Sequence, residues 1–201
     1  MNSQSRPSTI SRRTFAKYWA LGLATALFAS PHFVHAATAE GEGFDEDSIV
    51  KAASDFLGET AEGLGKVIAK AFKEHGRPTG YIKGEELAGA ATIGLRYGEG
   101  QLVFKQGSAS KVFWQGPSIG FDLGGNASKV FVLVYNAHKT DDLLKRFPSV
   151  DGSVYYVGGA GINYQQRDDI ILAPIRLGVG LRAGASIGYT HYTLTKTLNP
   201  L

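Results

Sequence analysis

From Thr79 onward the chain is a succession of short runs rich in valine, phenylalanine and tyrosine, each cut off by a tight, polar, glycine-bearing connection. Runs of this length and composition form strands, and connections this short cannot hold a crossover helix, so neighbouring strands must pair antiparallel. Strands are predicted at Ala91–Tyr97, Gln101–Lys105, Lys111–Gln115, Ser118–Leu123, Lys129–Tyr135 and Ser153–Gly161, and over the final run Ile170–Thr195. Turns are predicted at Gly98-Glu99-Gly100, Gly107–Ser110, Gly124-Gly125-Asn126, Asp151-Gly152 and Arg167-Asp168-Asp169, with Asn163–Arg167 either continuing a strand or pairing back. About eight strands are enough to close a small barrel, which removes the sheet edges that invite aggregation. One helix is expected among them, with Thr140 as cap, Asp141 and Asp142 in the first turn, Lys145 and Arg146 in the last, and Pro148 as stop.

Ahead of the strands the period is helical. Asp45-Glu46-Asp47-Ser48 supplies acids and a capping hydroxyl, and Ile49, Ala53, Phe56, Leu57, Leu64, Ile68, Ala71 and Phe72 follow one face. Gly58 and Gly63–Gly65 divide the segment 44–78 into two helices or one broken helix, whose apolar stripe is expected to dock on the strands. The expected fold class is therefore α+β: N-terminal helices on a small antiparallel, closed or nearly closed β-barrel over residues 79–201.

Residues 1–36 read as an export signal. A basic start with Arg12-Arg13 leads into an apolar run, Tyr18–Phe28, and Val34-His35-Ala36 offers small residues for cleavage. The apolar run is shorter than the ~20 residues a membrane helix needs. The order Ser11-Arg12-Arg13-Thr14-Phe15-Ala16-Lys17 is similar to a twin-arginine signal. Residues 37–43 are small and polar and read as disordered. All four basic residues of the signal would leave with it, taking 21 basic against 18 acidic residues to 17 against 18. The chain's basicity thus belongs to the signal, and it implies no nucleic-acid partner. A soluble periplasmic protein without a transmembrane segment is the expectation for the mature chain. The absence of cysteine rules out disulfides, thiolate metal sites and a cysteine nucleophile.

Gly178, Gly180, Gly184 and Gly188 superficially resemble a dinucleotide loop, but no helix start follows them. Their spacings are all even, which in a strand puts them on one face, where a neighbouring element can approach closely. No cofactor is expected. His75, His138 and His191 have no metal-binding spacing, and Ser118 lacks the glycine-flanked elbow of a serine hydrolase.

The stretches "KVFWQGPSIGFDLGGNASKVFVLVYN" (Lys111–Asn136), "RFPSVDGSVYYVGGAGINY" (Arg146–Tyr164) and "APIRLGVGLRAGASIGYTHYT" (Ala173–Thr193) resemble the envelope integrity protein A family. "GEELAGAATIGLRYGEGQL" (Gly84–Leu102) and Asn199-Pro200 are also similar. The resemblance implies a periplasmic β-barrel protein that supports the cell envelope under stress, with no enzymatic activity and no catalytic residues to carry over. A twin-arginine signal departs from that pattern. A weaker likeness of the glycine-rich strands, to SYLF lipid-binding domains, favours a lipid among ligands. Candidate contacts for a hydrophobic or amphipathic envelope molecule are Trp114, Phe121, Tyr135, Arg176 and Arg182, the arginines either meeting an anionic head group or pairing with an acid such as Asp122. An envelope protein partner, a barrel filled by its own side chains, and an envelope-modifying enzyme are the alternatives.

Overall fold

The computed structural model describes residues 42–58, 62–89, 93–119, 127–178 and 188–197. The expected signal 1–36, nearly all of the segment 37–43, Phe121, Asp122 and Arg182 lie outside the described residues. Among the described residues two helices, α1 (Glu46–Leu57) and α2 (Glu62–His75), precede ten strands. These are β1 (Gly80–Gly89), β2 (Ile93–Phe104), β3 (Ala109–Ile119), β4 (Ser128–Tyr135), β5 (Arg146–Pro148), β6 (Tyr155–Val157), β7 (Ala160–Ile162), β8 (Gln165–Arg167), β9 (Ile170–Leu177) and β10 (Tyr189–Thr193).

All pairings are antiparallel, in the order β5-β10-β3-β2-β1-β4-β9-β7-β6, with β8 also on β9. A bridge between Ser149 and Gln165 brings the β5 end of that run back to β8. The described strands therefore form one curled, barrel-like antiparallel sheet.

α1 starts where the acids predict. The Asp45 carboxylate accepts from the Ser48 N–H and hydroxyl, both at 2.8 Å, and Gly58 ends the helix in the left-handed region. The apolar stripe docks as expected: Ile49, Ala53, Leu64, Val67, Ile68 and Ala71 pack on Phe131, Leu133, Tyr135, Ala173 and Ile175. Those sheet residues are the odd-numbered positions of β4 and β9. The even-numbered ones, with Ile82, Leu102, Val112 and Tyr192, form a second core on the inside of the curl. Among the described residues no helix is long and apolar enough to cross a membrane.

Several local expectations are corrected. Gly98-Glu99-Gly100 is not a turn but the middle of β2, and β1 is a strand that the sequence reading left out. Lys111–Gln115 and Ser118 onward are one strand through Gly116-Pro117. Pro117 is tolerated there because the β10 ladder stops at Gln115, so no N–H is required of it on that side. The helix expected at Thr140 is a single 3-10 turn, Thr140–Leu143, and Arg146 and Pro148 belong to β5. The Asp142 carboxylate accepts from the His138 and Lys139 N–H groups, while the Thr140 hydroxyl bonds Ser110. Ser153–Gly161 is a hairpin start, β6 turning through Gly158-Gly159 into β7. The final run is not one strand: β9 pairs with β4, β7 and β8, whereas β10 pairs with β3 and β5. Gly178, after β9, and Gly188, before β10, have φ of 135° and 106°, so there they serve backbone turning and not a strand face, while Gly180 and Gly184 lie outside the described residues.

Candidate functional site

Strand alternation sends Glu86 of β1, Arg96 of β2, Trp114 of β3 and Arg176 of β9 to the inside of the curl, where they meet. Arg176 clasps the Glu86 carboxylate in bidentate fashion, Nε to Oε1 and Nη2 to Oε2, both 3.1 Å. Trp114 Nε1 donates to Oε2 at 3.1 Å, and Arg96 Nε stands 3.5 Å from the same oxygen. Arg176 Nη1 also donates to Asn163 Oδ1, and Arg96 Nη2 to the Pro117 carbonyl. Burial by itself would raise the Glu86 carboxyl; the charges of Arg176 and then Arg96, with the hydrogen bonds, bring it down to about 2.

The Trp114 indole is admitted by glycine. A Cβ on Gly98 would lie closer than 3.0 Å to Trp114 Cε2, Cζ2 and Nε1, and one on Gly84 would meet Cη2. This slot is why Gly98 stands inside a strand, whereas Gly100 lets the β1 backbone come close, since a Cβ there would meet the Lys83 carbonyl and Gly84 Cα.

The candidate residues of the sequence reading are thus partly brought together. Trp114 and Arg176 share the carboxylate of Glu86, a residue that reading did not single out. Tyr135 is on the opposite face of the sheet, between it and α2, with its ring 5.4 Å from His75. Arg176 is committed to Glu86. The hollow that reaches it, beside Asn163, Tyr156 and Gly178, measures about 20 Å³, room for roughly one water. The other histidines are apart, His138 after β4 and His191 in β10.

The outer face is more open. α1 and α2 cover the outer side of β4 and β9, while that of β1–β3 carries a groove of about 250 Å³ lined by Glu85, Leu87, Tyr97, Glu99, Phe113 and Lys196 among others. A second groove of about 400 Å³ continues over Lys83, Glu85, Glu99 and Lys111 towards Phe56. Leu87 is 50% exposed. Register sorts this face into rows: Lys83, Gln101 and Lys111; then Glu85, Glu99 and Phe113; then Leu87, Tyr97 and Gln115.

Glu85 and Glu99 are directly opposite each other, a like-charge pairing that costs stability. Lys111 relieves it at 3.4 Å, but both partners are more than half exposed, so the bridge contributes little. Glu85→Gln should therefore raise stability by about 0.5 kcal/mol. Urea unfolding of the two proteins at pH 7 checks this, and a lower midpoint for the variant would show that Glu85 is held by a favourable partner.

The model of a family described as envelope integrity protein A matches residues 42–201. The chain is also similar to a crystal structure titled a beta-barrel-like, uncharacterized protein from Brucella abortus, at 42% identity and a TM-score of 0.73. That similarity covers 80% of this chain and 99% of the other. No match is found among curated proteins.

Proposed function

The chain belongs to the envelope integrity protein A family, and from that premise we propose that it is a non-enzymatic periplasmic protein that supports the envelope by binding an amphipathic envelope component on the outer face of β1–β3. The inside of the curl is a less suitable place for a ligand. Its positions are taken by buried side chains, from Ile82 and Leu102 to Phe147 and Tyr192, and its charges are paired with one another. The observation that carries the reading is the outer groove, where exposed Leu87 and half-buried Tyr97 and Phe113 stand beside a charged rim on a face that the helices leave open.

A host lacking the protein, made sensitive to envelope stress, provides the test. The unaltered chain should restore resistance. A chain with Leu87→Ser and Tyr97→Ser should not, although its melting temperature stays within about 3 °C, because surface substitutions cost little. Full restoration by that variant would sink the proposal.

A further inference from the structure

The charge order on the outer face says what kind of component fits it. Along β1 the outward residues run Leu87, Glu85, Lys83; in register with them, Tyr97 and Glu99 on β2 continue the apolar and acidic rows and Lys111 on β3 the basic one, whereas Gln101 and the buried Gln115 are neutral and Phe113 adds an apolar ring to the acidic row. Apolar, acidic and basic rows follow one another every second residue, about 7 Å apart. A phospholipid with its tail on Leu87 and Tyr97 would lay either its phosphate or a stretch of acyl chain over Glu85 and Glu99. Neither group complements that acidic row.

An extended polypeptide suits the rows better. Its side chains on one side also recur every second residue, so an apolar residue, a basic one at i+2 and an acidic one at i+4 would each meet a complementary row. The neighbours of these rows leave that order intact. Lys83 Nζ lies over the Tyr81 ring at 5.3 Å, and Lys111 reaches Glu99 and the Phe113 ring. Lys196, after β10, lines the groove together with Glu85 and Glu99, so this acidic row already has a lysine from the chain itself beside it.

Resting on the surface reading above, we propose that the outer face of β1–β3 binds an extended segment of a partner protein whose side chains on one side run apolar, basic, acidic at alternate positions. Two labelled nonapeptides of identical composition test it: Thr-Val-Leu-Thr-Lys-Thr-Glu-Val-Thr, and the same sequence with the Lys and Glu exchanged. Backbone amide shifts of Leu87, Tyr97 and Glu99 report titration of the full mature chain. The first peptide should bind about five-fold more tightly than the second, as expected for a few exposed charge pairs. A chain with Lys83→Glu, Lys111→Glu, Glu85→Lys and Glu99→Lys should invert that preference. Lys196→Ala should tighten binding of the first peptide about two-fold by removing a competing cation.

Equal binding of the two peptides, or none, would overturn the proposal. So would shifts of these amides produced by vesicles of phosphatidylethanolamine and phosphatidylglycerol in place of either peptide, or by concentration alone with a dimer in sedimentation. Those results leave the stress assay free to stand or fall separately, since loss of function in the Leu87 and Tyr97 variant reports the surface and not its partner.

Discussion

Glu86→Ala should destabilise the protein by about 3–5 kcal/mol, because it leaves Arg176 and Arg96 buried beside each other without the carboxylate they share. For a domain of this size that is a fall of roughly 6–20 °C in melting temperature. Acid should act through the same residue. The carboxyl has its ordinary value of 4.5 in the unfolded chain and about 2 in the folded one. Between these values the unfolded chain binds a proton that the folded chain does not. The stabilisation is therefore complete above about pH 4.5 and is lost as pH falls towards 2, amounting to about 3 kcal/mol. Glu86→Gln removes the charge, so its stability should vary less over that interval. Urea midpoints of both proteins from pH 6 to pH 2.5 decide the matter: parallel curves would mean that Glu86 is not the titrating group.

Gly98→Ala should cost about 2–3 kcal/mol, a large penalty for one methyl group, because the added carbon would fall within the Trp114 indole. The ring cannot easily yield. It is 3% exposed, its Nε1 is held by Glu86, and Tyr192 packs on it with centroids 5.9 Å apart. Trp114→Leu should itself cost about 3 kcal/mol through the cavity and the lost hydrogen bond. The informative measurement is the double variant. If the slot exists for the indole, Gly98→Ala becomes nearly free once Trp114 is leucine, giving a coupling of at least about 1 kcal/mol. Strict additivity would show that the glycine answers to something else.

Much of the architecture was legible along the chain, for reasons that are local. The acid-capped start of α1, the apolar stripe of both helices and the antiparallel strands follow from periodicity and turn chemistry, which depend on residues a few positions apart. The misreadings share a cause. Gly98 and Gly100 look like a turn because glycine is the usual turn residue, yet here Gly98 leaves space for an indole that arrives from β3 and Gly100 for the backbone of β1. β1 carries a poor strand signal, with its lysine and two glutamates, and its position between β2 and β4 is what holds it in the sheet. Trp114 and Arg176 stand out in the sequence as candidate contacts, and Arg176 also as a cation that an acid could pair with. The acid is Glu86, 90 residues away in sequence, and no local pattern joins them.

Glu85 and Glu86 mark the division. The alternation of a strand determines that two adjacent glutamates face opposite ways, and that much is written in the sequence. Which of them turns inward depends on register, since β2 and β4 fix β1 so that Ile82 enters the core and Glu86 follows it. By that choice one glutamate becomes the buried anchor of two arginines and the other an exposed charge in the groove, because a carboxylate takes its role from the dielectric and the partners that the fold places around it.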